Sequence, residues 1–426
     1  MKRCIGIFLT VIVFMACART ERTAKQGIDE FTFATWAAGK ELSEFQQIID
    51  RVNAAAEGRY MVKALSIPSD YYIKISTLIA ARKAPHFFWL TQELIPRYAQ
   101  LGAIADITEN FNESEKLRPE DFYPGVISSA KYNDRYYGIP WIANPLIVYC
   151  NKNLFEEAGV PLPGDQWTWD DFIDKAKKLT MSRKDSLGND YMQYGFIIDG
   201  WPNLETFIWG GGGDIIAENG VDILLDDEAA LKGLDVLHTI IKSGISPEYS
   251  RVSSLGSNNV WFEKQRSAMF MGGIQDDFER KNEAAPEQER FEIWYAPVPT
   301  GLDGKSWAFN WTASTVLSAG QKDNPLAYEA MEQITIEFFK WKISPPIQNS
   351  LEQVAVMDPR KTPALPVIEM ALQNARSAHY VPEWNEINNL LWVRLYSSML
   401  NDSSFDYRET ARSIAEQSRQ FIAKRK

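Results

Sequence analysis

Residues 31–90 alternate between two kinds of apolar pattern. Three short segments rich in β-branched and aromatic residues are typical of strands: FTFATW (31–36), RYMVKALSI (59–67) and HFFWL (86–90). The two segments between them, ELSEFQQIIDRVNAAAEG and DYYIKISTLIAARK, carry apolar side chains at helical spacing. Strands separated by helices need crossover connections, so this region predicts a mainly parallel sheet flanked by helices.

Three polar or amphipathic side chains fall near the ends of these predicted strands. They are Trp36, Asp70 and Trp89. In open α/β sheets, ligands bind beyond the carboxyl ends of the strands. We therefore expect these side chains at a common edge, where a ligand would bind; core packing is the competing interpretation for each tryptophan.

The same alternation resumes after residue 144. PLIVYC and STVLSAG read as strands, and TWDDFIDKAKKLT as a helix in which Thr168 and Asp171 form a capping box. Asn324 and Pro325 suit the start of a later helix, and the last hundred residues are helical with proline breaks. Because no long linker, repeat or low-complexity tract divides the chain, the pattern predicts two α/β lobes that exchange chain segments.

The N-terminus has the layout of a secretory signal peptide. Lys2 and Arg3 precede the apolar run 5–16, which is shorter than the roughly 20 residues that a membrane-spanning helix needs. FMAC, ending at Cys17, resembles a bacterial lipobox, although its first two residues depart from the preferred Leu and Ala or Ser. We predict removal of residues 1–16, lipidation of Cys17, and a polar linker over residues 17–27 that tethers an exported protein to a membrane surface without spanning it.

The net charge and the cysteine count limit the partners and the disulfides that the mature chain can have. The chain has 45 basic and 56 acidic side chains, and removal of residues 1–16 takes two basic residues and leaves a net charge of −13. Such a surface repels phosphate backbones, which makes nucleic acid an unsuitable partner. Cys4 leaves with the signal peptide and Cys17 would carry lipid, so Cys150 remains without a disulfide partner and is predicted to be a buried strand residue.

The motifs of common catalytic and metal sites are absent from the sequence. The three histidines have no metal-ligand spacing, and no Cys-x-x-Cys, His-Glu-x-x-His, Gly-x-Ser-x-Gly or phosphate-binding loop occurs. We therefore predict no metal and no cofactor. The glycine run 210–213 is interpreted as a tight turn at a strand end. Glu205 and Asp276 could act as a pair of glycosidase acids, could accept hydrogen bonds from ligand hydroxyls, or could be ordinary solvated acids.

Five segments together resemble the family 1 extracellular solute-binding proteins, the sugar-capturing components of ATP-driven importers. They are APHFFWLTQELIPRYAQLGAIADIT (84–108), YNDRYYGIPWIANPLIVYCNKNLFEEAGV (132–160), QWTWDDFIDKAKKLT (166–180), AMFMGGIQDDFE (268–279) and PEWNEI (382–387). The resemblance covers essentially all of residues 28–426. His86, Cys150 and Ile274 depart from residues usual in the family, Asp, Tyr and Trp respectively. The last departure implies one stacking surface fewer and a ligand that need not be a malto-oligosaccharide.

The resemblance implies the two-lobe periplasmic-binding-protein fold of type II, with hinged lobes. The expected N-lobe comprises residues 28–142 plus 309–355, and the C-lobe residues 143–308 plus 356–426. Three crossings are expected near residues 140–145, 299–308 and 350–362. Ligand would enter the cleft, the lobes would close by hinge bending, and a membrane permease would recognise the closed form.

The resemblance and the composition together favour a carbohydrate ligand. The chain has 14 Trp, 17 Tyr and 22 Phe; indoles can cover the apolar face of a pyranose, while acids and amides bind its hydroxyls. The predicted ligand-binding residues are Trp36, Asp70, Trp89, Asn144, Trp201, Glu205, Trp209, Asp276, Trp311 and Trp384. The expected protein is a monomer, not an enzyme, at the periplasmic or outer face of the cytoplasmic membrane, with a sugar and an ABC permease as partners. An anchored glycoside-processing enzyme and a ligand receptor for a signalling partner are the alternatives.

Overall fold

The computed structural model describes residues 28–185, 187–342 and 346–425, so the predicted signal peptide and lipidation site lie outside the described residues. Short strands and helices alternate along the first of these ranges, as the sequence predicts. The strands are β1 (Asp29–Thr35), β2 (Tyr60–Ser66), β3 (Phe87–Thr91), β4 (Lys131–Tyr132), β5 (Arg135–Tyr136), β6 (Ile139–Asn151), β7 (Met181–Lys184), β8 (Asp190–Gln193), β9 (Met269–Gly273), β10 (Ile293–Ala296), β11 (Ala308–Leu317) and β12 (Ala375–Arg376).

Helices connect most of the strands along the chain. The α-helices are α1 (Gly39–Ala55), α2 (Tyr71–Ala80), α3 (Ile95–Gln100), α4 (Thr108–Glu113), α5 (Pro124–Ile127), α6 (Lys152–Glu157), α7 (Trp169–Lys178), α8 (Leu204–Gly210), α9 (Glu228–Lys242), α10 (Tyr249–Val252), α11 (Asn258–Glu263), α12 (Phe278–Ala284), α13 (Pro325–Phe338), α14 (Leu351–Met357), α15 (Leu365–Gln373), α16 (Trp384–Leu390), α17 (Ser397–Asn401) and α18 (Tyr407–Ala423). Short 3₁₀ turns occur at Gln92–Leu94, Pro119–Asp121, Ser128–Ala130, Ile274–Asp276, Glu287–Glu289, Ala319–Gln321 and Pro359–Ala364. The segment Leu391–Tyr396, which follows α16, is π-helical.

The main sheet is mixed, with the order β10-β6-β11-β3-β1-β2. β1 pairs in parallel with both β2 and β3, which confirms the crossover units predicted for the first ninety residues. β11 is inserted between β3 and β6 and runs antiparallel to both. β9 and β10 both pair antiparallel with β6, and β12 pairs in parallel with β11. The long strands β6 and β11 therefore join the two halves of the sheet.

Two hydrophobic cores lie along this sheet. The N-terminal core contains apolar residues between Phe31 and Ile142 and between Ala313 and Phe339. The C-terminal core contains most of the buried apolar residues from Ala143 to Phe309 and from Val354 onward, together with Tyr123 and Val126. Membership changes from one core to the other in the middle of β6 and again within β11. Both strands are thus shared by two separately packed bodies.

Local sequence signals explain several helix starts. The Thr168 hydroxyl accepts a hydrogen bond from the Asp171 amide at 3.2 Å, and the Asp171 carboxylate accepts one from the Thr168 amide at 2.9 Å, which confirms the predicted capping box. The side chain of Asn324 caps α13, and Pro325 occupies its first position. Capping by such residues satisfies amides that a helix N-terminus otherwise leaves without partners.

The prediction of a strand before the glycine run is wrong, because that segment is α8. Gly211 and Gly213 follow the helix and lie against α9. A Cβ atom on Gly211 would lie 2.3 Å from the Gly233 amide nitrogen, and one on Gly213 would lie 2.3 Å from that of Ala230. The glycines therefore permit close helix packing. A short apolar run does not by itself distinguish a buried helix from a strand.

Cys150 lies in β6 and is fully buried, as predicted. Burial raises the pKa of its thiol well above the usual range, so the reactive thiolate is disfavoured. Within the described ranges, none of the helices is both long enough and apolar enough to cross a membrane.

Candidate ligand-binding cleft

The two shared strands bring the first pair of predicted site residues together. Asn144 on β6 and Trp311 on β11 are directly paired across the antiparallel ladder. Both are partly exposed, and the Trp311 ring packs against both hydrophobic cores. We call the region where the two cores meet, around Gln92, Asn144, Trp311 and Tyr380, the interlobe cleft.

The end of β9 adds further predicted residues beside Asn144. The amide oxygen of Asn144 accepts a hydrogen bond from the Gln275 amide at 3.2 Å. Gly273 permits this contact, because a Cβ atom there would lie 2.2 Å from Asn144 Nδ2. A Cβ atom on the neighbouring Gly272 would lie 2.4 Å from Asp276 Oδ2, so the Asp276 carboxylate sits over the same strand end. An amide and a carboxylate are therefore held together at the carboxyl end of β9.

Trp201 approaches the same strand from the loop before α8. Its indole Nε1 donates a hydrogen bond to the Met271 carbonyl at 2.9 Å, which fixes the ring beside β9. The ring meets Phe309 of β11 edge to face, with centroids 6.3 Å apart. Trp201 remains partly exposed. Of the predicted tryptophans, Trp201 and Trp311 thus combine a fixed position near Phe309 and Asn144 with an available face.

Glu205 and Trp209 lie one turn apart on α8, and both are buried. Trp209 stacks on Phe309 with centroids 6.1 Å apart, and its indole nitrogen donates to Asp214 at 3.1 Å. The guanidinium of Arg376 lies 4.8 Å from the Trp209 centroid and 2.7 Å from Asp214 Oδ2. Trp209 therefore packs against Phe309 and is itself fully buried.

The N-terminal core contributes an aromatic group at the ends of β1 to β3. Trp36 is partly exposed and contacts Trp89, with ring centroids 4.7 Å apart. Trp89 is fully buried and stacks on Trp141 of β6, also at 4.7 Å. Asp70 lies at the exposed start of α2 with a positive φ of 52°. Trp36 and Asp70 are thus accessible at the predicted edge, whereas Trp89 packs inside the core.

Trp384 begins α16 and is 4% exposed, so it packs in the C-terminal core in this conformation. Its ring meets Tyr380 edge to face, with centroids 4.9 Å apart. The contact positions Tyr380, which reaches the opposite lobe. The ligand-binding roles assigned to all ten residues remain predictions.

Hydrogen bonds between the two cores identify residues that the sequence analysis missed. Gln92, directly after β3, donates to the Tyr380 hydroxyl at 3.0 Å and accepts from the Ser377 hydroxyl at 3.2 Å. Arg97 on α3 pairs with Glu386 on α16 at 3.2 Å. The position of Gln92 after a predicted strand was the available signal, but glutamine is common on surfaces. The four other residues carry no pattern that distinguishes them in a single sequence.

A cavity of about 310 Å³ opens beside these contacts. Its lining includes Pro96 and Lys131 from the first part of the chain and Asn219 and His379 from the later part. This volume is at the lower end of the usual range for small-molecule sites. The described ranges contain no group of three or more His, Cys, Asp or Glu side chains arranged to hold a metal ion. The cavity lining offers polar side chains for hydrogen bonding, among them Gln92, Asn219 and Tyr380.

Burial changes the acidity of the cleft carboxyls. It raises the pKa of Glu205 to about 7 and that of Asp276 to about 6. It also raises the pKa of Glu93, which follows Gln92. A protonated carboxyl can donate a hydrogen bond, and an ionised carboxylate can only accept one. These groups can therefore donate a hydrogen bond to a ligand hydroxyl or accept one from it.

Glu205 should make the stability of the protein depend on pH. Its pKa is about 7 when folded and 4.5 ordinarily, so the folded form holds a proton that the unfolded chain releases at lower pH. Stability should fall as the pH rises from about 4.5 to about 7. Glu205→Gln should remove this loss and be about 1–3 kcal/mol more stable than the wild type at pH 8, but nearly equal at pH 4.5. Urea denaturation at both pH values measures this.

The exposed Glu287 provides the control for that measurement. Glu287→Gln replaces a solvated surface side chain and should change stability by less than about 0.5 kcal/mol. A Glu205→Gln variant whose stability difference from the wild type is the same at pH 4.5 and pH 8 would contradict the assignment of the raised pKa.

The family of the chain follows from comparison with known proteins. A family model described as bacterial extracellular solute-binding protein matches residues 37–348. The chain belongs to this family. The match confirms the resemblance inferred from the sequence, and it places the chain among exported binding proteins.

Relatives of this solute-binding protein are distant in sequence but similar in fold. A Brucella abortus protein, named only as a binding protein, is 22% identical over 338 residues, which are 76% of this chain and 77% of that protein. The sugar-binding protein MalE of Xanthomonas citri has a TM-score of 0.76 at 19% identity and covers 93% of this chain and 98% of its own. An ABC substrate-binding protein of Listeria monocytogenes in complex with cycloalternan has a TM-score of 0.72 at 20% identity, with 93% and 99% covered. These similarities establish the two-lobe fold.

Proposed function

We propose that this solute-binding protein captures a carbohydrate in the interlobe cleft and delivers it to the permease of an ABC importer. The observation that carries the proposal is the pairing of Trp311 with Asn144 on the strands that both cores share, beside Trp201 and Asp276. Two partly exposed indoles next to an amide and a carboxylate match a pyranose, which has an apolar face and a rim of hydroxyls.

The similar structures support the same ligand class. The Xanthomonas protein is named as sugar-binding, and the Listeria protein was solved with cycloalternan. Both cover more than nine-tenths of this chain. A cleft built from the same fold, with indoles and hydrogen-bonding groups along it, is consistent with a neutral and hydroxyl-rich ligand.

Closure of two lobes would couple binding to transport. We propose an N-lobe of residues 28–142 plus 309–355 and a C-lobe of residues 143–308 plus 356–426. The change of core membership within β6 and β11, and the register shift between Ala313 and Ser314, support hinge positions on these strands. A β-bulge bends a strand locally and is suited to such a position.

Isothermal titration calorimetry with a sugar panel tests the function. The panel comprises maltose, maltotriose, maltotetraose, mannotriose and chitobiose. At least one sugar should bind with one-to-one stoichiometry, and chromatography after incubation should recover it unchanged. Failure of every sugar to bind would refute the carbohydrate assignment, and shortened products would favour a glycoside-processing enzyme. We propose binding without catalysis, because the family whose model matches the chain is described as solute-binding proteins.

We further propose that the mature protein is a monomer anchored to the membrane through lipid on Cys17. The basic, apolar and cysteine-terminated order of residues 1–17 supports this anchor. Cys17→Ser should move the protein from the membrane fraction to the soluble fraction, because the side chain that carries the lipid is lost. Fractionation followed by immunoblotting measures the shift, and Cys150→Ser serves as the control that stays with the membrane. An unchanged membrane fraction for Cys17→Ser would contradict the anchor.

A further inference from the structure

An exposed indole lies at the edge of the C-lobe, outside the set of predicted site residues. Trp392 is 40% exposed, although its indole has a large apolar surface. It lies on the π-helical segment Leu391–Tyr396, directly after α16. π-Helical turns are rare and frequently occur at functional sites. The location and the exposure together suggest a role for this ring beyond core packing.

The surroundings of Trp392 hold its ring in place. A Cβ atom on Gly200 would lie 2.4 Å from Cη2 of the indole, so only glycine allows the chain to pass this close. Gly200 has a φ of +101°, which glycine adopts readily. Tyr396 meets the ring edge to face, with centroids 5.8 Å apart, and its hydroxyl donates to the Pro202 carbonyl at 2.6 Å. The indole is thus fixed against the loop that carries Trp201.

A recess of about 80 Å³ opens beside the fixed ring. Its polar lining consists of Asn203, Glu205 and Asn388, together with Trp392. Glu205 is 7% exposed, and its Oε2 accepts a hydrogen bond from Asn203 Nδ2 at 2.6 Å. The recess is too small for a whole sugar ring but large enough for hydroxyl or hydroxymethyl groups. It therefore combines an exposed flat surface with a polar pocket at its edge.

We propose that Trp392, Glu205, Asn203 and Asn388 form an additional sugar subsite at the C-lobe edge of the cleft. A pyranose ring stacks on the exposed indole, and its hydroxyl groups enter the recess. The proposal rests on the proposed function and deepens it. It assigns an oligosaccharide as the ligand, with one unit near Trp201 and a further unit on Trp392.

Trp392→Ala tests this subsite through ligand length. Calorimetric dissociation constants are measured for the malto-, manno- and chito-oligosaccharide series, from monosaccharide to tetrasaccharide. For the longest sugar that the wild type binds, the variant should weaken affinity at least tenfold. For the shortest sugar that binds, it should change affinity less than twofold. Trp392→Phe should lose less affinity than Trp392→Ala, because a smaller aromatic face remains.

Trp294→Ala is the matched control. Trp294 is 41% exposed, lies on β10, and donates its indole hydrogen to the Pro163 carbonyl at 3.0 Å. This variant should bind every sugar as the wild type does, and a thermal melt of each variant reports whether it is folded. Equal losses for short and long sugars, or unchanged affinity for all sugars with Trp392→Ala, would overturn the subsite while the proposed function stands. If the wild type binds no member of these series, the proposed function fails and the subsite fails with it.

Discussion

Replacement of Lys361 by alanine should lower the free energy of unfolding by about 3–5 kcal/mol. Lys361 lies within the predicted third crossing, and its ammonium is 2.6 Å from the Glu279 carboxylate. Both side chains are almost fully buried, at 1% and 6% exposure. Tyr295 donates a second hydrogen bond to Glu279 at 2.8 Å. The alanine variant would leave a buried carboxylate without its cation, and urea denaturation measures the resulting loss.

A second ion pair in the same region provides the control. Lys281 pairs with Glu263 at 2.6 Å, but the side chains are 37% and 30% exposed. Lys281→Ala should therefore cost less than about 1 kcal/mol, because water solvates the remaining acid. The double variant Lys361→Met, Glu279→Gln should recover most of the loss, since it buries no unpaired charge. Equal effects of the two single alanine variants would contradict this account.

Replacement of Trp201 by alanine should weaken sugar binding at least thirtyfold, which corresponds to about 2 kcal/mol. The ring is fixed by its hydrogen bond to Met271 and by its contact with Phe309, and it remains partly exposed. A fixed indole loses little entropy when a sugar stacks on it, so its removal should be costly. Calorimetry with the tightest-binding sugar of the panel measures the change.

Two comparisons make the Trp201 result specific. Trp201→Phe keeps an aromatic face but loses the hydrogen bond to Met271, so its effect should be intermediate. Trp294→Ala removes an exposed tryptophan of β10 that pairs with Cys150 on β6, away from Asn144, and it should leave affinity unchanged. A Trp201→Ala variant that is folded and binds with wild-type affinity would remove Trp201 from the site.

Local patterns predicted the elements whose boundaries are set by local chemistry. The first three strands, the Thr168 capping box and the start of α13 depend on residues close in sequence. The position of β11 between β3 and β6 depends instead on pairings between residues more than a hundred positions apart. The glycine run was assigned to a strand end because an apolar run of that length suits either a buried helix or a strand.

The positions of some candidate residues follow from the predicted strands, whereas their ligand-binding roles stay predictions. Asn144 and Trp311 lie opposite each other, and Trp201 is fixed next to Phe309. The burial of Trp89 and Trp209 could not be foreseen, because the same residue type serves cores and ligand sites. The role of Gln92 could not be predicted from the sequence, because its hydrogen bond to Tyr380 joins residues that are far apart in the chain.

The insertion of β11 between β3 and β6 also constrains how the chain can be made. The N-terminal core draws on residues 31–142 and then on residues from Ala313 to Phe339. A ribosome releasing the chain from its N-terminus must therefore synthesise it as far as Phe339, about four-fifths of its length, before that core is complete. Until then, β3 and the first half of β6 lack the strand that lies between them. We expect the nascent protein to stay open over this period, a condition in which it can pass through a narrow translocation channel.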